Sequence, residues 1–320
     1  MPRIVPDLFD QIVWPLTETS GAYRNVGVLS PNDTTTDLTV TNTITRTGNG
    51  IFGNCPQFPA TSNFPSGSNS TRNYAAGAKT ITIAPPLTLS CWVYLRQFTT
   101  AAAQNIIGKE FRDSSITSSW TTPFYAISID VLTSNGGGDW FITVANTVST
   151  RATLSITDFP IPLGVWSHIG MTHDGSAIRA YLNGCQCIYY SGATQLNSTA
   201  SSTIVYTDGS NGFGNWKIGA ITHTGSANKE EPMANIQDVR IANIARPLSY
   251  FKHIYNVGVL PLRSGELTSG QFFKLRAYDT SCPTPTPVTW VDTQVSLANA
   301  PAFPCTGPYT TPEVLDTWYA

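Results

Sequence analysis

Charge is scarce in this 320-residue chain: only 12% of its residues are Asp, Glu, Lys or Arg, about half of the ~25% usual in soluble proteins. Lys and Arg are nowhere clustered and the net charge is −2. The basic footprint that grips a phosphate backbone is missing, so nucleic acid is not an expected partner. Long apolar runs are missing too. None reaches the ~20 residues of a membrane-spanning helix, and a membrane role is not expected. The first residues, Met-Pro-Arg-Ile-Val-Pro-Asp, lack the basic start and apolar stretch of a signal peptide, so export by that route is not expected. Six cysteines, at 55, 91, 185, 187, 282 and 305, are too few and too scattered for a disulfide scaffold in a chain of this size.

Helical periodicity is nearly absent as well, and strand signals take its place. Period-2 alternation and β-branched residues recur between Gly, Asn, Asp and Pro clusters, the pattern of many strands joined by turns. Strands are expected at 38–46, 87–96, 125–131, 140–146, 151–157, 166–173, 177–183, 216–221 and 236–243. In the second of these, Leu87, Leu89, Cys91, Val93 and Leu95 share one face, while Trp92 and Tyr94 on the other face show that it too is covered or used. Asp174-Gly175 and Asn183-Gly184 supply positive φ for tight hairpins, fixing three successive strands as a meander. One short helix is expected: Pro247 suits a first helical position, Leu248, Phe251 and Tyr255 follow at helical spacing, and Gly258 suits a C-terminal cap.

Beyond Gly258 the texture changes. Pro283, Pro285, Pro287, Pro301, Pro304, Pro308 and Pro312 lie in a Thr/Ala-rich stretch with extended preferences and little capacity for its own core. The expected organisation is an N-terminal arm over 1–10, a β-domain over 11–257 and a Pro-rich C-terminal arm over 258–320. A disulfide between Cys282 and Cys305 is an open alternative there, conditional on an oxidising environment.

Several segments in order resemble the laminin-G-like, concanavalin A-like jelly-roll family. They are Ile12 to Gly21, Gly50 to Asn54, the Leu-Ser-Cys-Trp-Val strand around Trp92, and Trp166 to Gly175 running on through Arg179 to Gly184. Trp216 to Gly219, Asn235 to Ile241 and the short helix complete the series. The resemblance covers roughly residues 10–257, a long and ordered match for one fold. It implies an all-β fold: an antiparallel two-sheet jelly-roll sandwich with extended terminal arms. Members of that family bind glycans or proteins or act as spacers; some bind calcium and a minority are glycosidases. Fold alone does not choose among these.

Glycoside hydrolysis needs two carboxyl groups flanking the scissile bond, and in hydrolytic relatives acidic residues alternate along one strand. Glu18, Glu110, Glu230, Glu231, Glu266 and Glu313 form no such alternation; structural hydrogen bonding is the favoured reading of Glu18 and Glu110. His168 and His173 have opposite parity on one strand, and neither has a Ser or Cys nucleophile beside it. No catalytic residue is expected and the chain is read as non-enzymatic. Cys185 and Cys187 share a strand face, but structural zinc needs a second pair of ligands, so they read as small hydrophobes. The loop Thr207 to Asn215 has oxygen-rich, glycine-rich composition that suits calcium, with Asp208 and Asn211 as ligands. With one carboxylate it reads first as a plain turn, and no cofactor is expected. Trp120, Tyr125, Tyr189 and Tyr190 are candidate platforms for sugar rings, against a core-packing alternative. Asn32, Asn69 and Asn197 head glycosylation sequons that, without an export signal, read as turn residues.

The missing signal peptide, the Thr/Ser/Asn-rich low-charge surface and the laminin-G-like body together resemble a structural virion protein of a tailed bacteriophage, and what that resemblance implies is a capsid decoration or a tail or fibre subunit. Its arms would tether a lectin-like sandwich to other virion subunits, with the chain forming a homo-oligomer. The alternative is a glycan- or receptor-binding lectin-like adhesion module, for which a cell-surface glycan is the expected partner.

Overall fold

Alternating faces and turn chemistry give the chain two antiparallel sheets, seen in a computed structural model. It describes residues 6–29, 34–41, 44–58, 74–77, 85–97, 103–111, 125–131, 138–145, 151–187, 189–191, 194–196, 199–200, 213–219, 229–230 and 232–264. By contacts the chain divides into two compact units, Met1–Asn256 and Val257–Ala320.

The nine-stranded sheet runs β13 (Cys185–Gln186), β12 (Ala177–Leu182), β11 (Trp166–His173), β6 (Leu87–Leu95), β19 (Ala234–Ala242), β4 (Gly53–Phe58) and β3 (Thr45–Gly50). β1 (Asp10–Trp14) joins β19, and β16 (Thr199–Ala200) joins β12. The eight-stranded sheet runs β10 (Arg151–Ile156), β9 (Trp140–Ala145), β8 (Tyr125–Val131), β7 (Ala103–Phe111), β17 (Phe213–Ile218), β5 (Tyr74–Gly77) and β2 (Leu38–Thr41), with β18 (Lys229–Glu230) parallel to β7. β14 (Tyr189–Ser191) and β15 (Thr194–Leu196) pair separately. The antiparallel two-sheet sandwich expected of the sequence is therefore present.

The core lies between the sheets. Leu89, Cys91 and Val93 of β6 and Ile169 and Met171 of β11 meet Ile107, Ile129, Ile142 and Trp216 of the facing sheet. The hairpins form as their dipeptides require. Asn183 and Gly184 both have positive φ, 52° and 78°, and close β12 onto β13; Gly175, at φ 100°, closes β11 onto β12.

Two expectations change. The strand expected over 38–46 is two strands, with β2 in the eight-stranded sheet and β3 in the other; Thr and other β-branched residues run through both, and such composition marks strand without marking a change of sheet. The helix α1 runs Leu248–Ser264, so Gly258 does not cap it. Glycine inside a helix costs only about 1 kcal/mol relative to Ala, and glycine at C′ is a preference, not a requirement.

Candidate functional site

Polar residues are few, so where they are buried they mark deliberate structure. The densest group sits where β1 joins β19. Asp238 has positive φ, 49°, at a bulge where the β19–β6 register shifts between Gln237 and Arg240; bulges of this kind re-aim side chains. Arg240 donates through Nε to both Asp238 oxygens at 3.0 and 3.1 Å and through Nη1 to Asp10 at 3.2 Å. Arg246 donates to Asp10 at 2.9 Å and to Asp7. Thr88 ties in the backbone: its Oγ1 donates to the Ile244 carbonyl at 2.6 Å and accepts from the Arg246 N–H at 2.9 Å.

The electrostatics follow from burial and pairing. Burial pushes the Asp238 carboxyl up, and Arg240 opposes the rise. Burial works against the Asp7 charge, but the Arg246 hydrogen bond and the amides of Phe9 and Asp10 hold its carboxyl below the usual range. For Arg240, burial disfavours the cation, and Asp238 outweighs it, raising the guanidinium further. A buried network of this type adds little net stability but fixes geometry, because leaving one member unpaired is costly.

The geometry it fixes is a surface turn. Asp7 accepts from the Phe9 N–H at 2.8 Å, and the Asp10 N–H donates to the Asp7 carbonyl at 3.1 Å. Leu8 at the tip is 84% exposed. Alongside, the segment 26–29 hydrogen-bonds β1: Val26 N–H to Val13 O, Val28 N–H to Asp10 O and Leu29 N–H to Gln11 O, at 2.8 to 3.1 Å. Gly27 permits this approach, since a Cβ there would meet the Gln11 carbonyl at 2.7 Å. Buried Asn25 locks the segment by accepting from the Val13 and Gly27 amides at 2.9 and 2.8 Å. Leu8, Phe9, Val26, Val28 and Leu29 are five of the seven exposed large hydrophobics among the described residues. They form one apolar corner on a rigid base, the kind of surface that marks an interaction site.

A second cluster lies on the outer face of the nine-stranded sheet beneath the first turns of α1. Phe251 stacks on Tyr181 at 3.8 Å between centroids, and Tyr255 stacks on Trp92 at 5.7 Å. Phe251 enters over Gly170, where a Cβ would lie 2.5 Å from the ring. His168 is enclosed by Trp92 and Phe251, and neither ring nitrogen has a hydrogen-bond partner. Burial, helped by the Arg240 charge, depresses it to about 3. It is a neutral packing group. His173 lies opposite core-facing Leu87, on the other face of β11 as its parity requires.

Three carboxylates elsewhere are tied into local structure. Glu18 accepts from the Arg24 amide at 2.8 Å. Asp174 binds Arg179 and the turn amides of Ser176 and Ala177. On the eight-stranded sheet, buried Asp130 accepts from Asn105 at 3.0 Å and Ser128 at 2.5 Å. No group of three or more His, Cys, Asp or Glu suited to a metal occurs among the described residues. Cys185 is a half-buried free thiol, and Cys187 a buried one within the core.

Of the residues singled out as ligand-binding candidates, Trp120, Asp208 and Asn211 lie outside the described residues, as do Cys282 and Cys305. Tyr125 opens β8, and Tyr189 and Tyr190 lie on β14. The ionic cluster of Asp10, Asp238, Arg240 and Arg246 is no part of the sequence expectation. Its signal is Asp238-x-Arg240, two opposite charges within one fully buried strand, with Arg246 just ahead of a helix-starting proline.

The family model for the concanavalin A-like lectin/glucanases superfamily, of the laminin G type, matches residues 68–247. The chain belongs to this superfamily. Two solved structures agree in fold. The Trypanosoma rangeli sialidase, complexed with 2,3-difluoro-KDN, matches at 13% identity and TM-score 0.51, covering 80% of this chain and 34% of the sialidase. The binding domain of Paraclostridial Mosquitocidal Protein 1 matches at 11% identity and TM-score 0.50, covering 84% of this chain and 58% of that domain. Domain 4 of AbnA, a GH43 extracellular arabinanase from Geobacillus stearothermophilus solved with arabinotriose, matches at 16% identity and TM-score 0.47, covering 77% and 98%. The chain thus spans about a third of the sialidase. A comparison with curated proteins finds no match. Superfamily members include both glycosidases and non-enzymatic lectins, so membership leaves catalysis to the residues.

Proposed function

We propose that the protein is a non-enzymatic structural subunit, a lectin-like sandwich that docks to neighbouring subunits through its N-terminal corner. The virion of a tailed bacteriophage, as capsid decoration or tail or fibre component, is the setting in which this reading places it. The observation that carries the docking role is the apolar corner of Leu8, Phe9, Val26, Val28 and Leu29 held on a buried ionic base. Exposed apolar side chains on a rigid turn lose little entropy on docking, which makes them efficient anchors. A non-catalytic role is supported by the carboxylates of Asp7, Asp10 and Asp238, each engaged by a guanidinium, and by buried Asp130, which accepts from Asn105 and Ser128.

Sedimentation of the full chain over a range of concentrations, with and without Leu8→Asp and Val28→Asp, tests the docking role. Self-association that the substitutions abolish supports it; a chain that stays monomeric and is not recovered in purified virions overturns it. Protection of the Asp7–Asp10 turn from protease in the particle, with cleavage in the free chain, places the same corner at a virion contact.

A further inference from the structure

One guanidinium stands between the N-terminal corner and the helix α1. On the corner side, Arg246 donates to Asp10 at 2.9 Å and to Asp7, and it lies over the Phe9 ring, 5.3 Å from the centroid. On the helix side it lies over the Tyr250 ring, 4.5 Å from the centroid. These are distances of cation–π attraction, which strengthens where water is excluded. Arg246 is itself buried, and its amide is fixed to Thr88 Oγ1.

Neither the turn nor the helix is positioned by local bonds alone. The turn closes on itself through the Phe9 and Asp10 amides, both accepted by Asp7, too few bonds to offset the entropy of ordering it. Ahead of Asp10, its ties to the rest of the protein among the described residues are Arg246 and the Asn243 amide, which donates to the Phe9 carbonyl at 3.2 Å. On the helix, Phe251 descends over Gly170 and stacks on Tyr181 at 3.8 Å, which fixes the rotation of the first turns. Tyr250 meets Phe251 edge-on at 5.4 Å and is carried over the guanidinium with it. The Tyr250 hydroxyl has no hydrogen-bond partner among the described residues, so the contact with Arg246 is made by the ring.

We infer that Arg246 is a positioning residue that couples the N-terminal corner to the seating of α1. Leu8 and Phe9 hold their outward pose only while Phe251 sits over Gly170 and Tyr250 covers the guanidinium. A partner docked on the corner in turn holds the helix down, because coupling between two sites is reciprocal. The element with two states is the first part of α1, seated or lifted. The consequence for docking rests on the docking role proposed above; the link between helix and turn stands without it.

Amide hydrogen exchange of the full chain, read residue by residue by NMR, tests the link. Tyr250→Leu keeps apolar bulk on the helix and removes the π face. It is expected to speed exchange of the Phe9 and Asp10 amides about fivefold to tenfold, the magnitude of one cation–π contact. The Tyr23 and Val26 amides, bonded to the Leu38 and Val13 carbonyls, keep their rates. Tyr250→Phe, which keeps the ring, is expected to restore the parent rates throughout. The reciprocal variant, Phe9→Leu at an exposed position, is expected to speed exchange of the Ile254 and Tyr255 amides of α1 by a smaller factor. Unaltered turn rates in Tyr250→Leu, an equal rise at Tyr23 and Val26, or unaltered helix rates in Phe9→Leu overturns the coupling. Sedimentation reads the consequence: Tyr250→Leu is expected to weaken self-association about fivefold and Tyr250→Phe to leave it unchanged. Undiminished association in Tyr250→Leu, where Leu8→Asp abolishes it, overturns the effect on docking. If Leu8→Asp itself leaves association unchanged, the docking role fails and the exchange rates still decide the coupling.

Discussion

The outer face of the nine-stranded sheet is one surface with two fates. Around Gly170 it is roofed by Phe251 and Tyr255 of α1, resting on Tyr181, Trp92 and His168. Four residues back along β11, at Trp166, it carries two half-buried rings, Trp166 and Tyr94, and a row that strand register continues through Asn235, Gln57 and Thr45. The strands are the same, and the difference is side-chain volume. Gly170 and its cross-strand neighbour Ser90 leave a recess into which a phenyl ring descends, whereas Trp166 and Tyr94 face each other as two large rings with no such recess between them. Apolar alternation places a face, and the volume of the residues on it decides whether another element closes over it.

The contrast breaks most completely at the ionic base beside the roofed half. Arg240→Ala leaves Asp10 and Asp238 buried with one cation fewer, and a loss of about 3–5 kcal/mol is expected in urea unfolding. Conversion of Asp238 to Asn in the same background recovers part of it, because the orphaned charge is then gone.

Next in size is Gly170→Ala. Its Cβ would meet the Phe251 ring at 2.5 Å, and about 1–3 kcal/mol of destabilisation is expected, as for other overpacked sites. Near-UV circular dichroism should lose the Trp92 and Tyr181 signals of the roofed half while far-UV strand signal persists. Intact near-UV spectra would mean that the ring moves aside at no cost.

Acid sharpens the same comparison. His168 falls from an ordinary 6.5 to about 3 through burial and the nearby Arg240, so between those values the unfolded chain holds a proton that the folded chain refuses. Stability is full above pH 6.5 and falls as pH drops toward 3, with a slope of at most about 1.4 kcal/mol per pH unit from this group. His168→Phe should flatten the profile by that component. His173 shifts in the same direction and Asp238 in the opposite one, and both remain in the variant, so the difference between the two profiles isolates His168.

The smallest effects belong to the half at Trp166. Thr45→Ala and Gln57→Ala should each change unfolding free energy by about 0.5 kcal/mol or less, as surface positions do. A larger loss at either would show that this half is packed as tightly as the roofed one.

Much of the fold was legible. β8 and β11 have the limits expected from alternation alone, and both glycine-containing hairpins form where their dipeptides stand, because positive φ is a local property that Gly and Asn carry with them. β4, β5 and β7 were less legible: they carry glycines, alanines and polar residues that weaken the apolar pattern, and they are strands because their neighbours pair them. Of the candidate sites, the docking corner was hidden because Leu8 and Val28 read as ordinary hydrophobics until burial showed them outside. The aromatic residues of the sheet's outer face were hidden differently. Trp92 and Tyr94 were visible as a second apolar face, but one lies under a helix and the other does not.

The sequence by itself determined the class of fold, the meander from β11 to β13, the start of α1 and the low-charge surface, since each follows from composition, period or turn chemistry within a short window. Tertiary structure alone decided which polar residues meet. Asp10 reaches Arg240 across 230 positions, and Thr45, Gln57, Tyr94, Trp166 and Asn235 share one row only through strand register. Register is set by the whole sheet packing against its partner, and no local window contains that information.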